Sequence, residues 1–344
     1  MNKLTKIGVS ALCGSMAAVS AANAGSMAVN GTATATWVSH NYGDVGNPIG
    51  MATWLTFVGS GELDNGSAVG VTVALDDKSA YSSANITLAT PGLGTFKIGS
   101  GGGGGGIGGY DDNMPTVWEE TTGTSVGAGI DYAKGVGSST YLQWTSPSIS
   151  GAKLIVAYAG KADGAQVNDK AGSGAVSSGL NEGVDVVLDV TAGDGAVNFF
   201  VGGSTINRDK STASTVEDHP NNQEAVTIGT TLTFGPIKAG YQKTAEFFGL
   251  ATTSAAEYYN NTSWGVSFNV NDDLSVSYGN FTSKKGFNGS DLAERKTEAE
   301  SYQLAYSMGG ASLKIAETSV DNAQYVTGSS QDYEGTTIAL SLAF

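Results

Sequence analysis

Alternation of apolar with small or polar residues runs through most of the chain and limits the folds that it can form. Val69, Val71, Val73 and Leu75 alternate with glycine, threonine and alanine, and the segment 184–190 repeats the pattern. A period of two is the period of a β-strand, because successive side chains point to opposite faces. The sequence therefore predicts an all-β fold.

Sixteen such strands are predicted after the first 24 residues. Most have about ten residues, the length that a tilted strand needs to cross a bilayer. An open sheet would leave backbone groups unpaired in lipid, so membrane strands must close into a barrel. The predicted strands span 26–39, 50–59, 67–76, 81–89, 94–100, 138–146, 151–160, 183–191, 195–205, 224–234, 237–246, 260–270, 273–282, 298–308, 311–320 and 335–344.

The connections alternate in length. Even-numbered strands are followed by compact turns such as 64–66 (Asp-Asn-Gly) and 193–195 (Gly-Asp-Gly), which contain residues that favour tight hairpins. Odd-numbered strands are mostly followed by polar loops of 10 to 37 residues. Outer-membrane barrels have short periplasmic turns and long outer loops. The pattern predicts a transmembrane antiparallel β-barrel of 16 strands, and the even number places both ends on one side.

The beginning of the chain has the features of a secretory signal. Lys3 and Lys6 precede an apolar stretch, and 22–24 (Ala-Asn-Ala) matches a cleavage site. We expect a signal peptide at 1–24 and a barrel domain at 25–344. Cys13, the one cysteine, would leave with the signal, which excludes a disulfide in the mature protein.

The charge balance is strongly acidic. The chain has 17 basic and 32 acidic residues; loss of Lys3 and Lys6 leaves 15 basic residues and a net charge of −17. This argues against a nucleic-acid partner, because phosphate binding needs clustered Lys and Arg. An acidic lumen would favour cations, while the alternative is that acidic loops only keep the protein soluble.

Aromatic residues lie near predicted strand ends, where interfacial girdles form in membrane barrels. The chain also ends on Phe344, which completes an alternating apolar run. The predicted girdle residues are Trp37, Phe57, Trp144, Tyr158, Phe234, Phe268 and Phe281.

Two segments carry a family resemblance, namely 59–66 (GSGELDNG) and 141–151 (YLQWTSPSISG). With the strand pattern they resemble the trimeric general-diffusion porins of Gram-negative bacteria, particularly of the alphaproteobacterial type. The resemblance implies a homotrimer in the outer membrane, in contact with lipid and lipopolysaccharide. It also implies that loop 3 folds inward and that its acidic residues face basic residues of the wall, around a path for small hydrophilic solutes and ions.

The third outer loop, 101–137, opens with six glycines. Glycine permits close backbone approach, as a segment packed on an inner wall requires. The alternative is a flexible exposed loop, but the apolar residues Met114, Pro115, Val117 and Trp118 argue against it. The acids predicted to line a constriction are Asp111, Asp112, Glu119 and Glu120.

Basic residues on the predicted wall are few. The inward-facing candidates by strand parity are Lys97, Lys153, Lys238 and Lys314. The two arginines of the chain, Arg208 and Arg295, fall in predicted outer loops, whereas porin constrictions often use arginines on the wall. Because rings of carboxylates select cations, we expect a cation-leaning pore.

Other sites have weaker support. Glu217, Asp218 and Asp321 are candidates for a Ca²⁺ site at the outer rim, although no ligand-spacing motif supports one. His40 and His219 lie in different predicted loops and lack a recognisable nucleophile. We expect no catalytic activity, no resident metal and no cofactor.

Three functions fit this architecture. The leading one is passive, non-specific diffusion of small hydrophilic solutes and ions through a water-filled lumen. The second is a channel selective for sugars or other nutrients. The third is a structural or adhesive barrel with a plugged pore, although sixteen strands leave a lumen that side chains alone do not fill.

Overall fold

A computed structural model describes residues 25–43, 46–77, 79–100, 104–124, 126–162, 180–208, 221–249, 256–287 and 292–344. Within these residues no helix is both long and apolar enough to span a membrane. The predicted signal peptide, together with Glu217, Asp218 and His219, lies outside the described residues.

The chain forms one closed antiparallel barrel of sixteen strands, in which each strand pairs with its neighbours in sequence and β1 pairs with β16. The predicted number and order of strands are confirmed. The strands are β1 Ser26–His40, β2 Ile49–Glu62, β3 Ala68–Asp76, β4 Ser79–Thr90, β5 Gly94–Ser100, β6 Tyr141–Thr145, β7 Ala152–Ala159, β8 Leu180–Ala192, β9 Val197–Arg208, β10 Gln223–Phe234, β11 Ile237–Phe247, β12 Ala256–Asn269, β13 Leu274–Phe287, β14 Arg295–Met308, β15 Ala311–Asp321 and β16 Tyr333–Ala343.

Most strands have an apolar outer face and a more polar inner face. On β10, Val226 and Ile228 are exposed on the outside of the barrel. Thr227, which lies between them, and Thr231 are buried inside. A soluble monomer rarely exposes a contiguous apolar surface of this kind. Here its position on the outside of a closed sheet is the arrangement that lipid requires.

Phe344 extends the β1–β16 pairing that closes the barrel. Phe344 and Gly31 on β1 exchange two backbone hydrogen bonds, of 2.9 and 3.0 Å, between N and O atoms. The Phe344 ring covers the outer side of Gly31, where a Cβ would lie only 2.5 Å from a ring carbon. A side chain at position 31 would therefore collide with the ring that seals this strand pair.

The connections keep the predicted parity with differences at the outer side. Compact turns such as 235–236 and 309–310 follow the even-numbered strands. The second outer connection consists only of residues 77–78, and β13 and β14 extend further outward than predicted, so that 288–294 joins them. Strand length here depends on pairing with the neighbouring strand rather than on an apolar pattern.

Phe281 is not part of an interfacial girdle, and the prediction for this residue is wrong. Its side chain is 1% exposed and points into the barrel, where it packs with Val126 of loop 3, Ala299 and Val320. Strand parity explains the placement, because Phe281 shares the inner face of β13 with Ser283.

The seal between Phe344 and Gly31 is testable by overpacking. A Gly31→Leu substitution should displace the Phe344 ring and destabilise the barrel by about 1–3 kcal/mol. Samples heated to a series of temperatures before electrophoresis measure this, and the temperature at which half of the folded band is lost should fall.

The matched control is Gly59→Leu, because Gly59 is an outer-face strand residue with no atom within 4 Å of the position that a Cβ would occupy. Equal midpoints for the two variants would contradict a sealing role for Phe344.

Candidate functional site

Loop 3, the connection 101–140 between β5 and β6, lies against the inner wall of the barrel. Its residues hydrogen-bond to Asp185 on β8, Gln242 on β11 and Gln303 on β14, and Thr124 of the loop bonds to Thr318 on β15. The loop therefore crosses the lumen side of half the barrel and returns. The prediction that loop 3 folds inward is confirmed.

Asp185 fastens both ends of loop 3 to the same strand. Its buried carboxylate accepts hydrogen bonds from the backbone N–H of Ile107 at 3.0 Å and of Val136 at 3.1 Å. Gly106 and Gly135 pass so close that a Cβ on either would collide with the carboxylate. Glycine is required at these two positions by close approach, and Asp185 gives the loop entrance and exit a common anchor.

Two glutamine side chains hold the middle of the loop. Gln242 donates from Nε2 to the carbonyl of Tyr110 at 2.6 Å and accepts at Oε1 from the N–H of Asn113 at 2.9 Å. Gln303 accepts from the N–H groups of Trp118 and Glu119 at 3.1 Å each. An amide suits this task because it offers both donors and acceptors to an irregular backbone.

Apolar contacts complete the attachment. Pro115 packs onto Gly240 of β11 and Gly265 of β12, two wall positions where the absence of a side chain makes room for the loop. Met114 and Pro115 are buried, as the apolar character of this stretch indicated. The contacts bury the loop's apolar side and turn other loop residues toward the lumen.

The four predicted acids lie near one another on this fixed loop. Asp111 and Glu119 are both close enough to Glu120 to raise its pKa, and Asp111 and Glu120 both raise the pKa of Asp112. Glu119 and Glu120 are exposed, and Asp111 and Asp112 are half-buried. The loop thus concentrates carboxylates in one place.

Burial is the largest cause of the raised pKa values of these acids. It brings the pKa of Asp112 to about 7, although the N–H of Met114 donates to Oδ1 of Asp112 at 3.1 Å and opposes the shift. Its Oδ2 is shielded from solvent and accepts no hydrogen bond from the described residues. Burial also raises the pKa of Asp111, Glu119 and Glu120.

The four predicted lysines face the lumen but are dispersed. Lys314 lies 5.9 Å from the Trp118 ring and opposes part of the burial effect on the pKa of Glu119. Lys97 lies 5.5 Å from the ring of Tyr141, on β6. In the described part of the chain, no lysine of this set forms an ion pair with one of the four acids.

The other two lysines are at the periplasmic ends of their strands. Lys153 is the register partner of Asp189 on β8, and Lys238 lines a recess below loop 3 together with Thr116 and Val117. The structure therefore brings Lys314 to the acidic cluster and leaves Lys97, Lys153 and Lys238 apart from it.

The expectation that both arginines lie in outer loops is wrong. Arg208 ends β9 and Arg295 begins β14. Arg208 donates to Gln223 Oε1 at 2.7 Å, on the inner face of β10, and Arg295 faces the lumen beside Lys285 of β13, its register partner. Both strands extend beyond their alternating apolar segments because the adjacent strands continue to pair with them.

Sequence reasoning also missed the residues that hold loop 3, namely Asp185, Gln242 and Gln303. A weak signal existed for them. Each is a polar residue on the inner face of a strand, and Asp185 and Gln242 lie in segments whose apolar alternation is otherwise regular. Such positions indicate a lumen-facing hydrogen-bond group, but the group's partner is set only by the fold.

Comparison with protein families identifies the chain through most of its length. Residues 8–307 match the family model described as Gram-negative porin. The chain belongs to the Gram-negative porins. A comparison with curated protein sequences finds no match.

Solved structures of outer-membrane proteins, porins among them, have the same fold at low sequence identity. An anion-selective porin from Comamonas acidovorans has a TM-score of 0.65 at 14% identity, over 93% of this chain and 100% of that one. OmpF of Salmonella typhi in complex with daunomycin has a TM-score of 0.63 at 14% identity, over 92% and 97%. The trimer form of OmpT, an outer membrane protein of Vibrio cholerae, has a TM-score of 0.63 at 10% identity, over 93% and 99%.

Family and fold together establish the coarse function. This porin is a β-barrel of the Gram-negative outer membrane and forms a channel for diffusion. Among its described residues no group of three or more His, Cys, Asp or Glu side chains is arranged to hold a metal ion. Asp321, one of the residues considered for Ca²⁺, ends β15 and is exposed.

From the hydrogen bonds of Asp185 we predict how loop 3 behaves when this side chain is removed. An Asp185→Ala variant should release both ends of loop 3, since hydrogen bonds to a charged group are each worth on the order of 1.5–3 kcal/mol. We expect a folded barrel with increased single-channel noise and increased cleavage of loop 3 by protease.

The control is Asp76→Ala, which removes an inner-face carboxylate at the end of β3, with no hydrogen bond to the described part of loop 3. If Asp185→Ala and Asp76→Ala have the same noise and the same cleavage rate, Asp185 is not the anchor.

Proposed function

We propose that this porin is a general-diffusion channel for small hydrophilic solutes and ions, with a preference for cations. The observation that carries the proposal is the acidic cluster on loop 3, formed by Asp111, Asp112, Glu119 and Glu120, which the wall contacts hold inside the lumen. Carboxylates that line a narrow part of a pore favour cations and disfavour anions.

The wall that loop 3 leaves uncovered supports this preference. Inner-face side chains of β1 and β2 such as Asn30, Thr32 and Trp54 are exposed to the lumen. Among the described inner-face residues of β1 to β5, Lys97 is the one lysine or arginine. The path for solutes therefore runs between several carboxylates and a largely neutral wall.

The alternatives have less support. A sugar-selective channel would present a run of aromatic side chains along the lumen. Trp54 stands apart from the other rings of this wall, and the stacked rings of His40, Tyr42 and Tyr333 lie together at the extracellular end and do not extend along the path. A plugged structural barrel would need a lumen filled across its width, whereas loop 3 packs along the wall. Porin membership favours a channel over an enzyme.

The fold alone does not set the ion preference. The similar structure from Comamonas acidovorans is an anion-selective porin. Ion preference follows from the side chains at the narrow part of the pore.

We also propose that three copies assemble into a homotrimer in contact with outer-membrane lipid and lipopolysaccharide. The similar structure of OmpT from Vibrio cholerae is a trimer form. The described outward side chains of β1 to β5 include no charged residue, which suits a face that contacts another copy. The outward face of β14 and β15, by contrast, includes Glu300 and Glu317. The mass of the detergent-solubilised protein, measured by light scattering, tests the assembly, and a monomeric mass contradicts it.

Charge removal from loop 3 tests the selectivity. The combined variant Asp111→Asn, Asp112→Asn, Glu119→Gln and Glu120→Gln should lower the permeability ratio of K⁺ to Cl⁻ toward unity, because it removes the carboxylates at the proposed constriction. The ratio is obtained from the reversal potential across a KCl gradient in a planar bilayer.

A matched control removes four charges from the outer face of the barrel. The control substitutions are Glu224→Gln, Glu300→Gln, Glu317→Gln and Glu334→Gln. This control variant should keep the wild-type permeability ratio. Anion preference of the wild-type protein, or an unchanged ratio in the loop 3 variant, would show that loop 3 is not the filter.

The raised pKa values predict a pH-dependent selectivity. Burial brings the pKa of Asp112 to about 7, so its negative charge is present above this pH and is lost as the pH falls through it. Lowering the pH from about 8 to about 5 should therefore reduce the preference for K⁺.

The Asp112→Asn variant separates this residue from its neighbours. It should lack the step near neutral pH and retain a decline at lower pH, where Asp111, Glu119 and Glu120 become protonated. Reversal potentials across the pH series measure the step near neutral pH and the decline at lower pH. If the wild type and the variant have the same pH dependence, Asp112 is not the cause of the step.

A further inference from the structure

A second charged cluster lies at the extracellular end of the lumen, outside the acidic region of loop 3. Lys285 near the end of β13 and Arg295 at the start of β14 are partners across the strand pair. Phe281, Ser283 and Thr297 are buried on the inner face. Lys285 has the same strand parity as Phe281 and Ser283, and Arg295 has the same parity as Thr297. Both cations therefore face the lumen.

Three aromatic rings surround the lysine. The Lys285 Nζ atom lies 5.7 Å from the ring centre of Tyr259, 5.3 Å from that of Phe287 and 5.6 Å from that of Tyr325. An ammonium group at this distance is attracted by the electron-rich ring faces. The rings hold the ammonium in place without neutralising its charge.

The same rings fix the arginine. The Cζ atom of Arg295 lies 5.4 Å from the ring centre of Phe287, and its Nη1 donates to the backbone carbonyl of Tyr325 at 3.4 Å. The Tyr325 hydroxyl is itself bonded to Ser283 at 2.7 Å and to the N–H of Asp131 at 3.2 Å. The cluster is thus connected to the wall, to loop 3 and to the last outer loop.

Neither cation has a carboxylate partner in the described part of the chain. The adjacent outward-facing lysines do: Lys284 pairs with Glu294 at 3.0 Å, and Lys296 pairs with Glu298. Among the described residues, this contrast between the two faces leaves Lys285 and Arg295 as two positive charges that are directed at the lumen and have no carboxylate partner. A planar guanidinium and a point-like ammonium side by side can bind one carboxylate together.

We propose that Lys285 and Arg295, beside the Phe287 ring, form a binding site in the outer mouth for organic anions that carry a carboxylate on a flat apolar body. The carboxylate binds the two cations, and the apolar body lies against the partly exposed ring of Phe287, while the buried rings of Tyr259 and Tyr325 hold the lysine in place. The inference rests on the proposed channel function, since the site lies on the route from the outer mouth to loop 3. It adds an entry step for anions to a pore whose loop 3 favours cations.

Saturation-transfer NMR on the folded, detergent-solubilised protein tests binding without requiring conduction. Sodium benzoate is the probe, and sodium acetate tests the contribution of the flat body. Benzoate should bind the wild type more tightly than acetate. The variant K285Q/R295Q should bind benzoate about ten-fold more weakly, because charge-assisted hydrogen bonds to both cations are lost.

The control variant is K153Q/K238Q, which removes two lumen-facing charges at the periplasmic end and should retain benzoate binding. Equal weakening in both variants would show that only the overall charge matters and would overturn the site. Equal affinity of benzoate and acetate would overturn the role of the Phe287 ring.

Bilayer recordings separate this inference from the proposed function. Benzoate added on the extracellular side should reduce the wild-type KCl conductance at lower concentration than in K285Q/R295Q. Conduction with no difference between these two proteins overturns the site alone, whereas a wild-type protein that does not conduct contradicts the channel itself.

Discussion

The whole structure depends on the need to pair every backbone N–H and C=O group in the bilayer. A strand cannot satisfy its own backbone, so the sheet must close, and β1 pairs with β16 while Phe344 completes the pairing at Gly31. Closure then assigns each residue to lipid or to lumen by its parity. The outer face is left mostly to apolar side chains, with charges such as Glu300 and Glu317 toward the extracellular ends of the strands, and the contacts of loop 3 are confined to the inner face.

Loop 3 meets the same requirement without being a strand. Its irregular backbone lies inside the barrel, where side chains of the wall replace a neighbouring strand as hydrogen-bond partners. Asp185, Gln242 and Gln303 take this role, and Gly240 and Gly265 leave the space. The wall of β8 to β15 is therefore built for the loop, and the wall of β1 to β5 is left for solutes.

The strands and the identity of the inward loop were predictable, because alternation and connection length are local properties of a sequence. The partners of the loop were not, since Asp185 and Gln303 are far from it in the chain. Lys285 and Arg295 were missed for a related reason. Their segments lack apolar alternation and form strands only because β12 to β14 pair that far outward. Phe281 was misassigned because an aromatic residue near a strand end suits a girdle as well as a loop contact.

Anchoring and charge oppose each other in loop 3. The contacts that hold Asp112 against the wall also remove water from its carboxylate, and burial is the main reason why its pKa rises to about 7. Glu119 and Glu120 are more exposed, so their charge depends less on how closely the loop packs. A loop bound more tightly would be a steadier but less charged filter. Two of the four acids are half-buried and two are exposed, so loop 3 can be fixed to the wall and still carry negative charge. A cluster of four buried carboxylates would not allow this, because burial favours their protonated form.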